Sequence, residues 1–133
     1  MRAISVRFKD GISIVEEVDI KSYKDYYKYL ECDCFDVAMN KDRTISAFVD
    51  DSGLLISDNP VCDYGTLGFY EPLAGNVVFA GGVDSDGDTL PLSEDISVMM
   101  VSNAIDLIGF TRWKKEKWLL LRNMQLIDVL KDY

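Results

Sequence analysis

The sequence predicts an α+β fold: a mostly antiparallel sheet of two hairpins plus a central strand, with about three helices packed on it. Three observations lead there. Apolar residues of the first fifty positions alternate at period two, the side-chain period of a strand with unlike faces. Polar turn-forming stretches, Lys9-Asp10-Gly11 and Asn40 to Arg43, divide those residues into paired runs, as hairpins require. Elsewhere the apolar spacing changes to three and four residues, the repeat of one helical face.

In the first run Ile4, Val6 and Phe8 alternate with Ser5 and Arg7, and Ile12 to Val18 returns after the Gly11 turn. Ser22 then suits a helix cap and Asp25 its first turn, where a carboxylate is favoured by the helix dipole. Tyr23, Tyr26, Tyr27 and Leu30 share one face of that helix. Phe35, Val37 and Met39, the polar turn, and Thr44 to Val49 make the second hairpin. The stretch from Leu54 to Pro72 carries Asn59-Pro60, Gly65 and Gly68 and reads as mostly loop.

Asn76 to Ala80, bounded by Gly75 and Gly81-Gly82, is the central buried strand. A second helix is expected from Ser93, with Glu94 and Asp95 in its first turn. Ile96, Met99, Met100, Ala104, Leu107 and Ile108 would fill its face, and Gly109 would end it. From Arg112 a third helix is expected, in which Trp113, Trp118, Leu121 and seven further apolar residues cover more than one stripe. Such a helix needs burial on two sides. It either packs into the domain or forms a homodimer through Trp113, Trp118 and Leu121.

The chain has 133 residues, a length that suits a single domain spanning 1–133, with 112–133 as a C-terminal apolar helix. No apolar run reaches the roughly 18 residues of a membrane span, and the start lacks a secretory h-region. Cytoplasmic residence is expected. Three cysteines, Cys32, Cys34 and Cys62, argue against a disulfide framework by their odd number.

The net charge of −9 disfavours direct nucleic-acid binding, which draws its affinity from Lys and Arg on phosphates. It favours a protein partner with a basic surface. The excess is concentrated. Residues 31–95 hold fourteen acidic and two basic groups, whereas residues 112–133 hold three acidic and six basic.

With no histidine in the chain, Ser-His-Asp and Cys-His catalysis are excluded. Asp84-Ser85-Asp86-Gly87-Asp88, with Asp95 at position 12, partly matches a calcium loop. Thr89 stands where such a loop needs glycine, however, and a solvated turn also explains the residues. Cys32, Cys34 and Cys62 lack the fourth ligand of a closed zinc site. Cys32 and Cys34 are expected to be two small apolar side chains on one strand face. No phosphate-cradling glycine pattern occurs, and no cofactor is implied.

The run Ala47-Phe48-Val49-Asp50-Asp51-Ser52-Gly53, then Asn59-Pro60, Leu73-Ala74-Gly75-Asn76 and Leu90-Pro91-Leu92-Ser93-Glu94-Asp95-Ile96, resembles an uncharacterised small domain family of phages, plasmids and other bacterial mobile elements. The resemblance covers Ile45 to Met99 and carries no catalytic residues. It implies an accessory protein that binds, and in some cases inhibits, host defence machinery by displaying charge as DNA does. The combined expectation is a non-enzymatic acidic protein that offers Asp50, Asp51, Asp84, Asp86 and Asp88 to a basic protein surface. The alternative is a small metal-dependent module or hydrolase using Asp84, Asp86, Asp88 and Asp95.

Overall fold

A computed structural model describes residues 1–56 and 58–111. The third predicted helix, with Trp113, Trp118 and Leu121, lies outside the described residues.

The chain opens with a hairpin of β1 (Arg2–Lys9) and β2 (Ile12–Asp19), paired in unbroken register from Arg2 opposite Asp19 to Lys9 opposite Ile12. Asp10 and Gly11 both take positive φ, 52° and 80°, the two-residue turn whose twist matches the flanking strands. After it come α1 (Lys24–Leu30), β3 (Phe35–Met39) and β4 (Ile45–Asp50). The second hairpin pairs Phe35 with Asp50 and Met39 with Ser46. Its turn is organised by buried Asn40, whose Oδ1 accepts from the Thr44 and Ile45 amides and whose Nδ2 donates to Leu67 O at 2.9 Å.

Between the hairpins runs β7 (Val77–Gly81), giving a five-stranded antiparallel sheet of order β2-β1-β7-β4-β3. Two hairpins around a central strand were expected, and the sheet has that form. On one face α1 closes a small core of Ala3, Ile20, Tyr26, Leu30, Phe48, Val78 and Ala80, with Tyr26 stacked on Phe48 at 4.0 Å between ring centroids. The opposite face presents Ile4, Val6, Ile45, Ala47, Val77 and Phe79 to the larger core.

The layer over that face departs from expectation. Residues 54–72 are not loop alone: within them β5 (Pro60–Asp63) pairs with β6 (Leu73–Ala74) and with β8 (Asp106–Phe110) in a second, three-stranded sheet. Nor does one helix run from Ser93 to Ile108. The helix, α2 (Val98–Ala104), is capped by Ser97, whose hydroxyl accepts from Met100 N, and it buries Val101 and Ala104 while Met99 and Met100 face outward. Ile105 to Phe110 satisfies a helical and an alternating pattern alike, and pairing with β5 selects the strand. Among the described residues there are two helices of the roughly three expected.

Arg2 ties the entry to α2 back onto β1. Its guanidinium donates to Ser93 O at 2.6 Å, Ile96 O at 2.7 Å and Leu92 O at 3.3 Å, with Glu17 beside its Nε. No described helix is long and apolar enough to cross a membrane.

Candidate functional site

The register of β7 fixes where the acidic residues can act together. Val77 stands opposite Val49 and Gly81 opposite Ile45, so the β4-to-turn segment Asp50-Asp51 emerges at one end of the sheet and the Asp84–Asp88 turn follows from the other. Four strand residues, about 13 Å, separate those paired positions, and both acidic groups lie beyond them. This exceeds the roughly 8 Å Debye length of physiological salt. The five carboxylates expected to form one surface therefore belong to two.

At the Asp84 end the turn is closed upon itself. The Asp84 carboxylate accepts from the amides of Asp86 and Asp88, each at 2.9 Å, and the Asp84 amide donates to Asp88 O. These are the local bonds that favour Asp in turns. Among the described residues, no three His, Cys, Asp or Glu side chains are placed to hold a metal ion, so Asp84, Asp86, Asp88 and Asp95 are not gathered as a calcium loop would gather them.

At the Asp50 end lies a cleft of about 510 Å³, lined by Tyr27, Glu31, Cys32, Asp33, Cys34, Asp50, Asp51 and Ser52. It arises where three segments leave regular structure together. Helix α1 ends with Glu31 in the left-handed region, φ 55°, and the Cys32 amide donates back to Tyr27 O. The chain then bends through Asp33 and Cys34 into β3, and the Asp51 amide donates to Cys34 O at 3.2 Å. Asp50 accepts from the Ser52 amide at 2.9 Å, and Glu31 accepts from Asn76 Nδ2 at 3.2 Å.

Among the described residues, four carboxylates and no basic side chain line this cleft. Its field is felt by the Cys32 thiol: partial burial, then Asp50, Asp51 and Asp33, push its pKa up to about 11. A thiol held so high stays protonated at neutral pH and is a poor nucleophile. The two thiols are not side by side on a strand as expected. Cys32 and Cys34 precede β3, Cys32 half-buried and Cys34 exposed. Cys62 is buried in β5, and burial, with Asp106 nearby, raises its pKa to about 11.

Sequence reasoning found Asp50 and Asp51 but missed Glu31 and Asp33, whose approach depends on how α1 meets the second hairpin. The signal available was the density of acidic groups from residue 31 onward.

The model of a family described as "Domain of unknown function (DUF3846)" matches residues 1–104. No curated protein and no solved structure matches the chain. The match reaches from β1 to the last residue of α2 and leaves β8 and all that follows outside it. An uncharacterised domain family, read above over Ile45 to Met99, agrees with it over a wider span.

Proposed function

The chain belongs to the DUF3846 domain family, and from that premise we propose that it is a non-enzymatic protein-binding factor whose acidic cleft receives a basic protein surface. The observation that carries this reading is the lining of Glu31, Asp33, Asp50 and Asp51, with no basic side chain beside them among the described residues. Such a concave, one-signed field attracts Lys and Arg side chains and speeds their approach. Cleft and sheet edge lie together, because β3 is an outer strand of the five-stranded sheet and Asp36 and Val37 are exposed on it. A partner can therefore meet carboxylates and a strand edge that no described strand pairs in one footprint.

The partner class that fits is a protein whose basic face ordinarily contacts nucleic acid. Occupying that face with carboxylates would inhibit it, in keeping with the resemblance to accessory proteins of phages and other mobile elements. The absence of histidine from the sequence and the raised pKa of Cys32 favour binding over catalysis.

The test compares two neutralised proteins. Glu31→Gln, Asp33→Asn, Asp50→Asn and Asp51→Asn together should slow and weaken association with a basic partner and flatten its salt dependence. Asp84→Asn, Asp86→Asn and Asp88→Asn together, at the far end of the sheet, should change it little. Equal loss in both, or none in the first, rejects the cleft as the binding surface.

A further inference from the structure

The hydrogen bonds at the two ends of β3 fix which of its backbone groups face outward. Cys34 O accepts from the Asp51 amide, and the Asn40 amide donates to Ile45 O, so the even-numbered positions of this hairpin bond across to β4. In an antiparallel pair the alternate residues turn their amides and carbonyls the other way. Those of Phe35, Val37 and Met39 therefore face the outer side, which no described strand pairs. That side is guarded at its centre. The Asp36 carboxylate accepts from the Val37 amide at 2.8 Å, and charge on an edge strand discourages indiscriminate pairing. A segment that pairs here must bring a cation for Asp36 as well as a carbonyl for the amide.

A concavity flanks each end of the strand. At the Phe35 end is the acidic cleft, on the face that α1 covers, because Tyr27 lines it and packs on Phe35 at 5.1 Å between ring centroids. At the other end a hollow of about 310 Å³ opens between Ala38 and Met39 of β3 and the segment from Phe69 to Leu73. Phe69 and Leu73 belong to the larger core, so this hollow lies on the opposite face of the sheet. Its described lining is apolar or aromatic apart from Glu71, and Tyr70 stands 77% exposed. Phe35 and Met39 are about 13 Å apart along the strand, within reach of one short extended segment.

We infer that β3 receives an extended basic segment of a partner protein as an added strand, with its cations at the Phe35 end and an apolar residue in the hollow beside Met39. The inference rests on the acidic-cleft reading and adds the form in which the basic surface arrives. Main-chain bonds supply affinity in such pairing, and the flanking pockets supply specificity. Charge complementarity sets the occupant: from residue 29 to residue 40 the chain holds Glu31, Asp33 and Asp36 and no base, and Lys41 follows at the hollow end. Antiparallel pairing is somewhat the more stable per residue, and it requires the apolar residue first and the cations after it. An order such as Leu-Thr-Arg-Arg puts Leu opposite Ala38, one Arg opposite Asp36 and the next on the cleft face. A second copy of β3 fits less well. Paired about Val37, it would set the two Asp36 side chains diagonally across the strands, about 7–8 Å apart, inside the roughly 8 Å Debye length of physiological salt.

The probe is the synthetic peptide Thr-Thr-Leu-Thr-Arg-Arg-Thr-Arg-Thr, fluorescently labelled, titrated with the full chain at low salt and followed by anisotropy. It should bind. Val37→Pro should weaken binding about tenfold or more, because the ring removes an outward amide and obstructs the incoming strand. The bonds from β3 to β4 are spared, since proline is tolerated where an edge amide faces outward, and far-UV circular dichroism checks the fold. A second measurement needs no variant: N-methylation of alternate peptide residues should abolish binding for the set whose amides face β3 and spare it for the other set. Glu31→Gln, Asp33→Asn, Asp50→Asn and Asp51→Asn together should also weaken binding. Binding that needs the cleft but is indifferent to Val37→Pro and to the choice of methylated set overturns the added strand and leaves the cleft reading standing. Binding that needs the edge but not the cleft overturns the cleft reading and the polarity assigned here. Absence of binding overturns the inference, as does a dimer of the unsubstituted chain that Val37→Pro dissolves, which gives the edge to a second copy.

Discussion

The carboxamide of Asn59 occupies the space that a side chain on Gly75 would need: a Cβ there would stand 2.6 Å from Asn59 Nδ2 and 2.9 Å from Oδ1. Gly75 also has φ +78°, and its amide donates to Pro60 O at 2.7 Å. Asn59 in turn donates to Gly53 O and exchanges bonds with Thr111. This contact joins the Asp50–Gly53 turn, the small sheet and the start of β7 at the end of the molecule that holds the acidic cleft.

Gly75→Ala should therefore destabilise the protein by about 1–3 kcal/mol, from left-handed strain in a residue with a Cβ and from collision with Asn59. Adding Asn59→Ala removes the collision but not the strain. In thermal unfolding, the double variant should lose less than the sum of the two single losses. Strict additivity would show that the contact is not felt.

Arg2→Lys should cost about 1–3 kcal/mol, because a lysine cannot reproduce a fork that serves three carbonyls and leaves some of them unpaired. Glu17→Gln should cost under about 1 kcal/mol, since its carboxylate is largely exposed and such ion pairs contribute little. Denaturant unfolding of the two variants checks the order. The reverse order would assign the role of Arg2 to the ion pair instead of the carbonyls.

Alkylation by iodoacetamide at pH 8, followed by peptide mass spectrometry, should modify exposed Cys34 well before Cys32, whose thiol titrates at about 11. Asp50→Asn with Asp51→Asn should quicken Cys32 alkylation, by lifting the second and third causes of its raised pKa while burial, the first, remains. An unchanged rate would mean that the acidic field does not reach the thiol.

Acid should destabilise the fold through three carboxylates held below their ordinary value of 3.8. Asp19 accepts a bond from the N-terminal ammonium, Asp25 from the Lys21 and Ser22 amides, and Asp42 from the Thr44 hydroxyl. A depressed folded pKa gives stability that is present above the unfolded value and lost as pH falls through the folded one. Melting temperature should thus decline from about pH 4 downward. Asp25→Asn should make that decline shallower.

The strands of the large sheet were readable because alternation and turn chemistry are local. Asp10-Gly11 needs two positive φ angles, and Asn40 binds its own turn, so neighbouring residues carry most of the information. The α2 region was misread for the opposite reason. Ser93 does accept a bond from the Asp95 amide, as a helix start would suggest, but Arg2, ninety or more positions away, holds the Leu92, Ser93 and Ile96 carbonyls. The helix waits for Ser97. Likewise Leu107 and Phe110 become strand residues only because Cys62 and Pro60 lie opposite them.

What the sequence determined by itself was the antiparallel sheet of two hairpins around a central strand, the acidic excess of residues 31–95 and the lack of histidine. These follow from composition and from periods of a few residues. Only the tertiary structure decided which carboxylates share a surface. Because β7 runs antiparallel to β4, it carries Asp84–Asp88 away from Asp50 and Asp51, while the end of α1 brings Glu31 and Asp33 to them. Sequence spacing could not disclose this, since electrostatic fields combine by distance in space, and that distance is set by strand order and register.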